Sequence, residues 1–233
     1  MNKTGRLDES MINFILYGNQ DLSSQPDNIP KPSDPITDLA DIERLKDYFL
    51  NSPKKFFAIR NYTIFCFGIS TSVRSSDILN LKVSDVVDNN NNIRDEVVVK
   101  RSVSTNGTND TIIIINQESK QILFDYLAKR NTMKAYKVDN IYYDYLFPSQ
   151  KTSFWIDSST WSTILKKAGK DLNLPYNLGC DSMRKTYVYW QVAEHFKTKF
   201  QTEQDKKIDK ILAAINNGVT IVSKEELIEL LNE

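Results

Sequence analysis

Arg60–Val86, RNYTIFCFGISTSVRSSDILNLKVSDV, is the stretch that decides the fold class. From Arg60 to Leu81 it has the length and apolar spacing of one long buried helix or two shorter ones. Inside it Arg74 and Asp77 stand three residues apart, and it leaves through Leu79-x-Leu81-x-x-x-Asp85. Upstream, IERLKDYFL at 42–50 reads as a helix that Asp38 or Asp41 can cap. Downstream, residues 83–116 alternate β-branched runs with Asn, Asp and Gly clusters, the pattern of two or three short antiparallel strands, with one turn at Asn106-Gly107. Helical patterns resume at QESKQILFDYLAKR (117–130), at STWSTILKKAGKDL (159–172) after a short YLFPS (145–149), and at DSMRKTYVYW (181–190) and its continuation. The class is therefore mainly α with a small antiparallel β-sheet, an α+β arrangement.

Three segments follow from composition. Residues 1–35 form a flexible N-terminal segment and linker, because Pro26, Pro30, Pro32 and Pro35 among Asp, Ser and Asn resist helix and strand. Residues 36–200 form the folded domain. Residues 201–233 form a helical tail, with IDKILAAI, a turn at Gly218, and a Ser223-to-Glu226 capping box before EELIELL. The chain has 233 residues, 30 Lys plus Arg and 30 Asp plus Glu. That neutral sum hides a segregation: residues 41–200 are net +6, while 1–40 and 201–233 are each net −3. A mildly basic body of this kind suits a partner with local negative charge, DNA among them. Cys66 and Cys180 lie in no Cys/His cluster and His195 is the single histidine, so neither a metal centre nor a cofactor is expected. The apolar run Met11–Tyr17 is interrupted by Asn13 and follows an acidic lead, which fits neither a signal peptide nor a membrane span. A reducing, cytoplasmic setting is the expectation, in a bacterial cytoplasm or nucleoid.

Taken in order, Arg60–Val86, the strand–turn–strand around Gly107, and YLFPS followed by a helix and DSMRKTYVYW resemble the catalytic domain of the tyrosine recombinases, the phage-integrase family. The resemblance covers roughly residues 36–195. It implies the DNA breaking-rejoining fold, double-stranded DNA as partner, and an arginine pair that clamps one phosphate: Arg74, oriented by Asp77, and Arg184. A planar, permanently charged fork suits charge on a phosphate. Lys185, Lys100 and Arg101 are the other basic residues expected to meet DNA. Read from the residues alone, Arg74 with Asp77 is equally an ordinary helical ion pair and Arg184 a surface cation.

The resemblance also implies a lysine on the strand turn, a histidine or lysine before the second arginine, a later histidine or tryptophan, and a C-terminal tyrosine nucleophile. Here the lysine's place falls on Ser104 or Thr105, the position three before Arg184 is Asp181, and Asn217 falls near the later histidine. Asp181 either repels phosphate or pairs with Arg184 at i and i+3. Beyond Tyr189 there is no tyrosine in this sequence, and Tyr187 and Tyr189 read as packing residues on the helix that carries Arg184. His195 is read as a solvated or packed side chain. Without acid, base and nucleophile the site would bind phosphate but not catalyse. The expectation is a DNA-binding protein that has lost recombinase chemistry and acts as a repressor or accessory factor of a phage or other mobile element. An active recombinase is the alternative, and a protein-interaction module the second.

Two further expectations concern assembly. Some 35 residues precede the domain, too few for the second helical domain with which many relatives clamp the duplex, so a single copy is expected to bind weakly. A homodimer or a partner recombinase would then dock through the C-terminal helix, whose Ile221, Leu227, Ile228, Leu230 and Leu231 share an apolar spacing.

Overall fold

In the computed structural model, residues 32–99, 110–132, 144–149 and 155–198 are described, the last helix with its side chains through Val192. Within them lie α1 (Leu39–Leu50), α2 (Lys55–Ile69), α3 (Ser75–Leu79), α4 (Val83–Val86), β1 (Glu96–Val99), β2 (Thr111–Ile114), α5 (Gln117–Thr132), α6 (Ser158–Asp171) and α7 (Cys180–Thr198). The apolar stretch from Arg60 thus divides into two helices, and the first of them begins five residues earlier, at Lys55.

Helix α2 is the axis of the core. From Ala58 to Phe67 all its residues but the half-buried Tyr62 are buried, Arg60, Asn61 and Thr63 included, which places it inside rather than at the surface, and α1, α5 and α7 pack around it. Ile59, Ile64, Phe65, Cys66 and Phe67 are buried in one cluster with Phe49 of α1, Leu123 and Tyr126 of α5 and Trp161 and Leu165 of α6. Phe49 joins Phe65 at 5.5 Å and Trp161 at 5.8 Å between ring centres. Asp38 caps α1, its Oδ1 accepting from the Ala40 amide at 2.8 Å, while Asp41 sits in the first turn.

β1 and β2 pair antiparallel, Val97 opposite Ile113 and Val99 opposite Thr111. Val97 and Ile113 face the core, whereas Val98, Ile112 and Ile114 face outward, as the period of two requires. A further isolated bridge joins Val87 to Ile93 across the Asn-rich turn. There the Asp88 carboxylate accepts from the Asn90 and Asn92 amides, and Asn91 adopts φ 63°, a left-handed conformation that asparagine tolerates.

Two motifs distant in sequence meet beside α2. Leu146 donates its amide to the Leu81 carbonyl and Val83 to Asp144, both at 2.7 Å. Leu146 and Phe147 are thereby buried, and Arg60, itself buried, donates Nη1 to the Pro148 carbonyl at 2.7 Å. Asp85 accepts from the Lys82 amide at 2.8 Å, so the acid that ends the Leu-x-Leu-x-x-x-Asp exit holds the α4 turn.

Helix α6 starts at Asp157, whose carboxylate accepts from the Thr160 amide and hydroxyl at 2.8 Å. A hydrogen bond from the Ser159 hydroxyl, with those from Thr160, holds its carboxyl down at about 2. Because the folded-state pKa is depressed below the ordinary 3.8, this cap contributes stability above that pH and loses it as pH falls through about 2. Asp157→Ala is expected to cost about 1 kcal/mol at neutral pH. The difference in melting from the parent should vanish between pH 4 and 2; a difference that grew on acidification would contradict the cap.

Cys66 and Cys180 are free thiols, and burial pushes Cys66 up to about 12. Among the described residues no His, Cys, Asp or Glu group is arranged to hold a metal ion, and no helix is long and apolar enough to cross a membrane.

Candidate nucleic-acid interface

Arg74 and Arg184 stand on neighbouring elements. Arg74 is the N-cap residue of α3, in an extended conformation that leaves its side chain exposed. No hydrogen bond or ion pair of that side chain is found among the described residues. Asp77 lies in the first turn of α3, its amide donating to the Arg74 carbonyl at 3.0 Å. Helix α3 packs on α7, which carries Arg184. The two are joined by the Ser75 hydroxyl, which donates to the carbonyl of Cys180.

The start of α7 is built by a reciprocal cap. The Gly179 amide donates to the Ser182 hydroxyl at 3.0 Å, and the Ser182 amide returns to the Gly179 carbonyl at 3.0 Å. Asp181 falls in this first turn, where the helix dipole favours an acid by about 0.3–1 kcal/mol. Its Oδ1 lies 3.9 Å from Arg184 Nε, an ion pair too long for a hydrogen bond. Both members keep solvent, at 35% exposure for Arg184 and 57% for Asp181, so the pair is worth about 1 kcal/mol at most. Arg184 Nε is nonetheless itself buried and has no hydrogen-bond partner among the described residues. A buried donor left unpaired is uncommon and is satisfied when an acceptor arrives.

Lys185 points elsewhere. Its Nζ donates to the Ser33 carbonyl at 2.8 Å, and burial holds its pKa below the usual lysine value. It belongs to a strap in which residues 32–36 cross α7: the Thr186 hydroxyl accepts from the Ile36 amide at 2.9 Å, and Trp190 Nε1 donates to the Ile36 carbonyl at 3.0 Å. Asn177 secures the strap through both its amides, to Asp34 and to the Pro32 carbonyl. Tyr187 and Tyr189 are buried, at 7% and 4% exposure, and Tyr189 meets the Trp190 ring edge-on at 5.3 Å. Lys100, Arg101, Ser104, Thr105, Asn217 and the His195 side chain lie outside the described residues, as do residues 1–31 and the 201–233 tail.

A phage integrase family model matches residues 37–200, which takes in every element from α1 to α7. The chain belongs to the phage integrase family. Within that family it is similar to the probable integrase/recombinase YoeC of Bacillus subtilis (strain 168), 29% identical over 189 residues that make up 80% of this chain and 86% of the relative. Its fold is similar to that of XerA recombinase, with a TM-score of 0.52 and 24% identity over 87% of this chain. It is also similar to that of the Tn1549 transposon integrase solved with transposon right end DNA, with a TM-score of 0.52 and 16% identity over 91% of this chain. The chain spans 66% of each of those two solved chains.

Sequence reasoning paired Arg74 with Arg184 but missed what joins their elements. Ser75, Gly179, Ser182 and the 32–36 strap carry no pattern of their own; a buried serine beside a singled-out arginine is the nearest thing to a signal.

Proposed function

We propose that this integrase-family chain binds duplex DNA through Arg74 and Arg184 without cutting it, as a repressor or accessory factor of a phage or other mobile element. The observation that carries the reading is the state of the arginines. Among the described residues one fork is exposed with no partner, and the other has a buried Nε without an acceptor. They stand on elements joined through Ser75. A phosphate oxygen supplies the missing acceptor and the opposite charge. That a similar fold has been solved with transposon-end DNA favours the same class of ligand here.

The loss of chemistry rests on residue types and burial. Asp181 places a negative charge where the family has a donor, Ser104 and Thr105 cannot serve as an acid at neutral pH, and Tyr187 and Tyr189 are packed inside. A clamp alone stabilises ground state and transition state alike and so does not accelerate transfer. A second copy or a partner recombinase engaging the acidic 201–233 segment would add the affinity that a small interface lacks. The setting is the reducing cytoplasm in which such elements reside.

The test is anisotropy of labelled duplex fragments at two salt concentrations. With roughly two to four phosphates neutralised, affinity should fall about 10- to 150-fold between about 50 and 200 mM salt. Binding that ignores salt, or none, would reject the reading.

A further inference from the structure

Ser75 is 4% exposed, and its hydroxyl donates to the Cys180 carbonyl across 105 positions of sequence. That carbonyl is the one that α-helical geometry pairs with the amide of Arg184, four residues on. Ser75 itself directly follows Arg74, and α3 is five residues long, so the hydroxyl sits at the root of the turn presenting Arg74. One side chain therefore touches both turns from which the arginines project. Nothing in the stability of α7 demands this bond, since the Cys180 carbonyl keeps its helical partner without it.

We propose that Ser75 is a positioning residue: its hydroxyl sets the first turn of α7, and with it Arg184, against the turn that presents Arg74, so that both forks meet one phosphate. The proposal rests on the reading that these arginines hold DNA. A clamp requires its two charged groups at a fixed separation, and flexible contacts between helices do not fix a separation as a directional hydrogen bond does.

Thr and Val are isosteric, so Ser75→Thr and Ser75→Val differ by the hydroxyl alone. Both are to be made in the full chain, alone and with Arg184→Ala, and titrated with duplex DNA while melting is followed. Ser75→Thr should bind within about twofold of the parent, and Ser75→Val about 5- to 10-fold more weakly. In the Arg184→Ala background the two should bind alike, a non-additivity that general support of the fold would not produce. Equal binding of Thr and Val, or a difference that persists without Arg184, would overturn the proposal while leaving the DNA-binding reading intact. So would loss of folding in both Ser75→Val and Ser75→Ala with Ser75→Thr folded, which would make the bond a prop of the fold. A parent chain with no salt-dependent binding would instead reject the functional reading, and this proposal with it.

Discussion

Arg184→Ala is expected to weaken binding to duplex DNA about 10- to 100-fold, the effect of removing a charge-assisted hydrogen bond to phosphate. Arg74→Ala should act similarly, and each change should lower the slope of log affinity against log salt by about one. Neither should lower the melting temperature appreciably. Arg74 has no described side-chain partner to lose, and Arg184 gives up a 3.9 Å pair on the solvent side. Arg184→Lys should recover little, because an ammonium lacks the planar fork and the Nε donor that the fold leaves buried. Asp181→Asn should move affinity the other way, by removing a negative charge beside Arg184. The check is a salt titration of all four variants beside their melting curves. Equal slopes in the parent and Arg184→Ala would remove Arg184 from the interface.

Gly68→Ala is expected to destabilise the chain by about 1–3 kcal/mol, although alanine in a helix interior ordinarily gains about 1 kcal/mol over glycine. The reason is the crossing of α2 with α7. A Cβ on Gly68 would lie 2.4 Å from Met183 Sδ and 3.2 Å from Met183 Cβ. The thioether end can swing aside, but the Cβ contact presses on the α7 backbone one residue before Arg184. Met183→Ala alone should cost about 2–5 kcal/mol through the cavity it opens. The double variant should cost less than the two together, since the new methyl fills part of that space. Melting of the three variants decides this, and a stabilising Gly68→Ala would show that the helices do not cross as closely as described.

The fold was legible where periodicity is strong. Arg60–Val86 announces buried helices because its apolar residues face every direction, and the β-branched runs around residues 96–114 announce strands. Spacing left open whether that stretch is one helix or two; it divides where the Ser70 and Thr71 hydroxyls donate to the Phe67 carbonyl, local bonds that compete with continuation of the helix. Resemblance singled out Arg74, Arg184 and Asp77, and the structure sets the elements of the two arginines side by side, while among the described residues the Arg74 side chain makes no bond to Asp77. What surrounds these residues was not legible in the sequence. Spacing suggests that Asp181 pairs with Arg184, and the two do approach as an ion pair, yet at 3.9 Å the distance is too long for a hydrogen bond; Lys185, adjacent to Arg184 in sequence, is turned about 100° around the helix and ties down the strap instead. Tyr187 and Tyr189 followed the rule that aromatic residues at helical spacing serve the core.

This chain is expected to grip DNA without cutting it. The most direct measurement incubates the full chain with nicked duplex fragments that trap a covalent intermediate, then runs the samples on a denaturing gel. Salt-sensitive complexes are expected before denaturation and free protein afterwards. A band that survives denaturation, and disappears in Tyr187→Phe or Tyr189→Phe, would contradict it and return the chain to the active recombinases.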